Sequence, residues 1–210
     1  MKVTLLRYTP DPDLLAGQAA ALCTNSPNPE KALQHALESG HESVVEHASF
    51  TFLIEGVSRA LLAQITRHRI ASFSVQSQRY VDMGATPVVV PDSIAANADI
   101  LQAYEAIMET VRSFYCAAVD ADIPKEDARM VLPEATYTKI MLTMNARELR
   151  HFFALRMCNK AQWEIRAAAN EMYRQAIEVA AVIFKDAGPA CWRGKCPEKK
   201  PCGNPPKPFD

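Results

Sequence analysis

The sequence predicts an α+β fold, with strands interspersed among long helices in a single domain. Apolar residues recur at helical spacing over several long segments, whereas elsewhere they alternate with the period of two that is typical of a strand. Strand and helix patterns alternate too rarely for a doubly wound parallel sheet. A length of 210 residues with 49% hydrophobic content suits one compact domain whose core needs no metal or disulfide.

The first part of the chain is predicted to contain both strands and helices. The predicted elements are a strand over residues 2–8, helices over 14–23 and 30–39, a strand over 48–57 and a helix from Ser58 to about His68. Phe50, Phe52 and Ile54 alternate and give the second strand one buried face. Ser58 is the predicted N-cap of the helix that follows. Residues 69–90 are predicted to form loop and a short strand.

The second part of the chain is predicted to be mainly helical. The predicted elements are a long helix over 93–121, a short helix after Pro124, a strand over 136–144, and helices over 145–157 and 161–185. The long helix is amphipathic, with apolar residues at helical spacing from Ile100 to Tyr115. Asn145 and Glu148 are spaced as a helix N-cap and its reciprocal partner. Gly188 is the predicted end of the last helix.

The domain is predicted to cover residues 1–190, and residues 191–210 are predicted to form a flexible tail rich in cysteine and proline. Cys191, Cys196 and Cys202 are spaced irregularly compared with common zinc motifs, so incidental thiols are favoured over a zinc site. His41 and His47 are six residues apart and would not share one helical face. No metal site is therefore predicted.

Charge and hydropathy exclude two kinds of partner. The chain has 23 Lys and Arg against 24 Asp and Glu, a formal net charge of −1, so no general field would hold it on nucleic acid or an anionic membrane. No apolar stretch approaches the roughly 18 residues that a membrane span needs. We expect a cytoplasmic protein in which any anion site is local.

A local concentration of cations begins at Arg67. Arg67, His68, Arg69 and Arg79 place three guanidinium groups and one imidazole within thirteen residues. Arginine binds phosphate through two parallel hydrogen bonds, and Ser77 with the backbone around it can donate to the same oxygens. This segment is therefore either a phosphate site or a solvated basic turn.

Amide side chains near these cations favour a nucleotide as the ligand. Gln64 lies three residues before Arg67 and so on the same side of the predicted helix. Gln76 and Gln78 flank Ser77 and could read the edge of a nucleobase.

A second group of polar residues lies on the predicted helix after Asn145. Arg147 and His151 share one face of this helix, whereas Arg156 lies about half a turn away. A site shared between subunits would explain cations that point in two directions, although an ordinary surface helix would explain them too. Arg129 is a further isolated cation, for which a surface salt bridge is the commoner role.

The segment from Arg67 to Ser77 resembles the characteristic motif of flavin-dependent thymidylate synthases: Arg-His-Arg, seven residues, then Ser. Other stretches resemble the family in the same order over about residues 1–186. They are His41-Glu42 with Glu46-His47, Arg129 with Leu132-Pro133, Thr143 to Arg147, and Leu155-Arg156 with Ala161 to Glu164. The sequence departs from a common family pattern at two positions. Many members carry Asn where Ser74 stands, and some carry Asn where His151 stands.

The resemblance implies a methyltransferase that converts dUMP to dTMP with FAD as cofactor. It also implies methylenetetrahydrofolate as one-carbon donor, NADPH or NADH as reductant, and a homotetramer with active sites at subunit interfaces. The implied FAD-binding residues are His41, Ser43, Arg67, His68, Arg69, Asn145, Arg147 and His151. The implied dUMP-binding residues are Gln64, Arg67, Val75, Gln76, Ser77, Gln78, Arg79, Arg129 and Arg156.

Arg156 is the candidate catalytic residue, because its fixed positive charge could stabilise an anionic uracil ring. The sequence contains seven glycines and no Gly-x-Gly-x-x-Gly motif. A dinucleotide would therefore have to be held by side chains rather than by a glycine-rich turn.

The alternative from a different functional class is a non-enzymatic nucleotide- or RNA-binding module that uses the basic loop from Arg67 to Arg79. Only Phe73 and Tyr80 are candidates for stacking on bases around this loop, and the net charge gives no support. The enzyme is the preferred interpretation.

Overall fold

The computed structural model describes residues 1–194 and 196–206 and has the mixed α+β architecture that the sequence predicts. Its strands are β1 Lys2–Tyr8, β2 Ser49–Ser58, β3 Ala71–Val75 and β4 Tyr137–Asn145. Its helices are α1 Pro12–Thr24, α2 Pro29–Glu38, α3 Arg59–Ile65, α4 Asp92–Ala95, α5 Ala98–Asp120, α6 Lys125–Ala128, α7 Ala146–Arg156, α8 Trp163–Val179 and α9 Ala181–Phe184. Short 3₁₀ helices cover Glu42–His47, Arg129–Val131 and Ala190–Arg193.

The strands form an antiparallel sheet in the order β1-β2-β4-β3. Backbone bonds at both ends set the register of β2 against β4: Ala146 N donates to Ala48 O at 2.8 Å, and Arg59 N donates to Thr136 O at 3.2 Å. The predicted alternation in β2 is confirmed, since Phe50, Phe52 and Ile54 are all fully buried.

Contacts group this single domain into two compact units. The first unit contains Met1 and residues 55–64 and 74–140, with a small core of Met83, Tyr115 and Ala128. The second unit contains residues 2–54 and 65–73 and the described residues from 141 onward. An aromatic cluster forms part of its core, in which the Phe153 ring lies edge-on to the rings of Tyr173 and Phe184. β2 and β4 contribute residues to both units.

Two long predicted helices are each interrupted, the first by an amide cap and the second by one residue with non-helical backbone angles. Asn97 Oδ1 accepts from Ile100 N at 3.2 Å and starts α5 separately from α4. Gln162 Oε1 accepts from the backbone N–H groups of Glu164 and Ile165 and starts α8 close to the predicted position. The interruption of this helix is at Ala180, whose backbone angles (φ −146°, ψ 65°) separate α8 from α9. Amide side chains can accept hydrogen bonds from backbone N–H groups in place of the helical carbonyls. The spacing of apolar residues does not indicate where this happens.

The start of α7 is partly as predicted. The N-cap is confirmed, because Glu148 N donates to Asn145 Oδ1 at 2.9 Å. The reciprocal half of the predicted pair is wrong: the Glu148 carboxylate bonds the His68 ring instead. The Ser58 cap of α3 is confirmed by a 3.0 Å bond from Leu61 N to Ser58 Oγ.

Residues after 190 contact the rest of the second unit, to which they belong. The Trp192 ring lies 5.5 Å from that of Tyr173 between centroids, and Lys160 Nζ lies 2.8 Å from Glu198 Oε2. The flexibility predicted for the tail stays a prediction, and Lys195 with residues 207–210 lies outside the described residues. None of the described helices combines the length and the apolar character that a membrane crossing requires.

Candidate functional site

A cavity of about 680 Å³ in the second unit is walled by cationic side chains. The segment before β3 supplies Arg67, His68 and Arg69, and α7 supplies His151 and Arg156. The structure thus brings together residues more than 80 positions apart that the sequence presented as two separate clusters.

Arg67 and Arg69 differ from Arg79, Arg147 and Arg150 in having no side-chain partner among the described residues. Both are exposed at the cavity, and neither makes an ion pair or side-chain hydrogen bond with the residues that the structure describes. By contrast, Arg79 pairs with Glu126, Arg147 with Glu46, and the buried Arg150 with Glu42 and Asp186. Guanidinium groups without a counter-charge beside a cavity are suited to binding phosphate.

The His68 ring is held from both sides. It is only 4% exposed, and its Nδ1 lies 2.8 Å from Glu148 Oε1. Arg156 Nε donates to His68 Nε2 at 3.1 Å. A guanidinium cannot accept a hydrogen bond, so Nε2 carries the lone pair and the ring proton is on Nδ1. The contacts therefore specify one neutral tautomer.

Burial is the largest cause that lowers the pKa of His68 below its ordinary value. The hydrogen bond to Glu148 acts in the opposite direction, and the charges of Arg156 and His151 lower the pKa further. Burial also lowers the pKa of Arg156, followed by the charge of Arg67. Arginine still remains protonated at neutral pH, so a neutral imidazole bonds a charged guanidinium here.

We expect stability and activity to fall when the pH drops below about 6.5, the pKa of an unfolded-state histidine. The folded-state pKa of His68 lies below that value, so its stabilising effect is complete above it and is lost as the pH falls through the folded pKa. Protonation also removes the acceptor that Arg156 uses. Urea unfolding of wild type and His68→Gln across this pH range measures the effect, and an equally steep dependence in the variant would assign it to other groups.

His68, Glu148 and His151 place possible metal-ligand atoms within 4.8 Å of one another. Both nitrogens of His68 are already hydrogen-bonded, one of them to a guanidinium that would repel a cation. The arrangement therefore fits a hydrogen-bonded chain better than a metal centre.

The other candidate flavin residues lie elsewhere in the second unit. His41 and Ser43 line a separate cavity of about 620 Å³ beside α1 and α2. Asn145 caps α7, and Arg147 pairs with Glu46. The cations of α7 do act in two directions, but the predicted grouping of Arg147 with His151 is wrong. His151 lines the cationic cavity together with Arg156, whereas Arg147 bonds the Glu46 carboxylate.

Most candidate dUMP residues lie in the first unit, and several are hydrogen-bonded to other residues of that unit. Val75 ends β3, and Gln78 is buried. Bonds within four residues join Gln64 Nε2 to Ala60 O and Arg79 N to Ser77 Oγ, and Gln76 N donates to the distant Lys139 O. The Arg79 side chain pairs with the Glu126 carboxylate at 2.7 Å, and Arg129 Nε donates to Glu126 O at 3.2 Å. A joint site with Arg67 and Arg156 stays a prediction.

Sequence reasoning missed two features of the cationic cavity. Glu148 was predicted to cap its own helix, although its position three residues before His151 places it on the same face. Cys158, Cys191 and Cys196 also line the cavity. Burial raises the pKa of the Cys191 thiol, which keeps that thiol protonated and a poor nucleophile.

The fold and this site are those of a class of protein suited to hold an anionic ligand with arginine and histidine side chains rather than with a glycine-rich turn. The family model described as thymidylate synthase complementing protein matches residues 4–181. A flavin-dependent thymidylate synthase of Geobacter sulfurreducens is 50% identical over 212 residues, covering 94% of this chain and 91% of the relative. One from Clostridium tetani is 42% identical with the same coverage.

Solved structures agree with these relatives. Thymidylate synthase X (ThyX) from Helicobacter pylori, solved with FAD and dUMP, matches with a TM-score of 0.73 and 27% identity, covering 89% of this chain and 98% of that one. The UMP/dUMP methylase PolB from Streptomyces cacaoi, bound with 5-Br dUMP, matches with a TM-score of 0.74 and 25% identity, covering 88% and 93%. The chain belongs to the flavin-dependent thymidylate synthase family.

Proposed function

We propose that the protein converts dUMP to dTMP with FAD as cofactor, methylenetetrahydrofolate as one-carbon donor and NADPH or NADH as reductant. Family membership over nearly the whole chain supports this reaction. The structural observation that carries it is the cavity where Arg67, Arg69 and Arg156 meet a fixed imidazole. The non-enzymatic nucleotide- or RNA-binding alternative is not favoured by these relatives, and a cytoplasmic location stays a prediction.

The residues present suit FAD. Its pyrophosphate would supply the negative charge that the exposed Arg67 and Arg69 lack among the described residues. A cavity of about 680 Å³ is within the usual size range of ligand sites. When bound, FAD supplies the redox chemistry that a protein side chain does not. His68 and His151 complete the part of the proposed flavin site that lies in this cavity. Four further residues are proposed to contact the flavin from outside this cavity: His41, Ser43, Asn145 and Arg147.

Arg156 is proposed to bind the uracil ring of dUMP and to stabilise the negative charge that develops when the ring becomes nucleophilic. Its guanidinium is partly buried, which strengthens the interaction of its charge with a bound ligand. The segment from Val75 to Arg79, with Gln64 and Arg129, is proposed to hold the phosphate and base. Arg79 would then exchange its exposed pair with Glu126 for the ligand, at small cost because such pairs are weak.

We propose a homotetramer in which several subunits contribute to each site. α5 presents three large apolar residues at seven-residue spacing, which lie on one face of a helix: Ile100, Ile107 and Phe114, exposed by 52%, 58% and 58%. A stripe of this kind is typical of a helix that packs against another chain. The direction of Arg147 away from the cationic cavity also suits a site built by more than one subunit.

The purified protein is expected to be yellow and to have the mass of four 23.2 kDa chains. An absorption spectrum and light scattering after gel filtration measure these two properties. Ile107→Glu should reduce the mass, whereas Gln102→Glu places the same charge on the other side of α5 and should not. A colourless monomer that remains inactive with added FAD would contradict the proposed function.

A further inference from the structure

We propose that Glu148 is a positioning residue that acts through His68 to hold the guanidinium of Arg156 in its working orientation. This inference rests on the proposed function of Arg156. It concerns a carboxylate that is assigned to neither ligand and that is almost completely buried.

The three side chains form a hydrogen-bonded chain with a single direction. Arg156 Nε donates to His68 Nε2 at 3.1 Å, and Nδ1 on the other side of the ring donates to Glu148 Oε1 at 2.8 Å. The direction cannot reverse, because the guanidinium only donates and the ionised carboxylate only accepts. Glu148 therefore selects the tautomer of His68, and that tautomer presents the acceptor that Arg156 needs.

Packing keeps the middle of the chain in place. The His68 ring lies edge-on to the Phe152 ring, with 5.0 Å between centroids, and His68 and Glu148 are both buried. Asn145 anchors the turn of α7 that carries Glu148 through the backbone bond at the helix start. The ring consequently has a fixed location against which the Arg156 guanidinium can be oriented.

The orientation of the Arg156 guanidinium depends strongly on a fixed hydrogen-bond partner. It is the last residue of α7, where a helix frays most easily, and its long side chain has many rotamers. The charge of Arg67 also acts on it from the same cavity. A bond at Nε fixes the plane of the guanidinium, and this plane decides whether its two terminal nitrogens can meet two acceptors of a base.

The first test removes the carboxylate and measures flavin reduction by the nicotinamide separately from dTMP formation. Glu148→Ala is expected to slow dTMP formation by about 10- to 100-fold, by analogy with the effect of deleting the carboxylate that orients a metal-ligating histidine. Flavin reduction should change little. Glu148→Gln should lose less, because its amide oxygen can still accept from Nδ1. Asp186→Asn is the matched control, since Asp186 bonds Arg150 of the same helix.

A double variant separates positioning from a merely structural role. If Glu148 acts through Arg156, Glu148→Ala combined with Arg156→Ala should form dTMP no more slowly than Arg156→Ala alone. Losses that multiply in the double variant, or a wild-type rate in Glu148→Ala, would overturn the inference. If Glu148→Ala does not fold, the same comparison is made with Glu148→Gln.

Nitrogen NMR of the His68 ring provides a readout that does not depend on the reaction. Wild type should show the Nδ1–H tautomer, and Glu148→Ala should shift the ring toward the Nε2–H form. A wild-type Nε2–H tautomer would overturn the inference even in an active enzyme. Wild-type protein that makes no dTMP but shows the Nδ1–H tautomer would contradict the proposed function and leave the positioning chain intact.

Discussion

Arg156→Ala is expected to lower dTMP formation by a factor on the order of 100 to 1,000, the usual effect of deleting one preorganised donor that stabilises developing charge. FAD should remain bound and reducible by the nicotinamide, because Arg67, Arg69 and His151 still line the cavity. The loss should appear mainly in the transition state, with some loss of dUMP affinity. Flavin reduction and dTMP production are measured separately in each variant.

Arg156→Lys should rescue only part of this loss. Lysine keeps the charge but lacks the planar fork, and it has no equivalent of the Nε group that bonds His68 Nε2. Its single nitrogen cannot replace both the Nε that bonds the His68 ring and the terminal nitrogens that would bond the ligand. Wild-type dTMP turnover in Arg156→Ala would remove this residue from catalysis, and an equal loss of flavin binding would reassign it to the cofactor.

Arg67→Ala is expected to abolish both flavin retention and dUMP binding. Its guanidinium is exposed at the cavity, makes no ion pair with the described residues, and acts electrostatically on Arg156. Removing it takes away a cation assigned to both ligands. Flavin absorbance after gel filtration and dUMP titration calorimetry measure the two losses.

Two arginine variants serve as comparisons for Arg67→Ala. Arg69→Ala should weaken flavin retention and spare dUMP, because only the flavin is assigned to Arg69. Arg112→Ala removes an exposed guanidinium that pairs with Glu109 on α5, and it should affect neither ligand. Normal affinity of Arg67→Ala for either ligand would show that the shared assignment is wrong.

Local patterns account for most of the elements that the sequence predicts. β1 has the predicted bounds, the buried face of β2 follows its alternation, and the Ser58 and Asn145 caps lie where they were expected. These features depend on side-chain periodicity or on hydrogen bonds within three residues, both of which can be read from a short segment. The two interrupted helices show the limit of periodicity, because apolar spacing indicates neither the Asn97 cap that starts α5 nor the non-helical backbone of Ala180 between α8 and α9.

The family and its reaction were predicted from motifs. The tertiary structure decided which of the motif side chains are paired with a carboxylate. Arg67 and Arg79 have the same chemistry in the sequence, yet one faces a cavity without a counter-charge and the other bonds Glu126, 47 residues away. Arg147 bonds Glu46, which is 101 residues away. Only the fold shows which cations remain available to a ligand.

The sequence by itself determined the α+β class, the positions of the strands and caps, and the cationic motif that resembles the family. The tertiary structure decided that Glu148 bonds His68 across 80 residues and that His68 accepts from Arg156 across 88. It also buried the ring and thereby lowered its pKa. Periodicity and caps arise between neighbours in the chain, whereas the tautomer, charge and orientation of a side chain depend on groups that only folding brings within hydrogen-bonding distance.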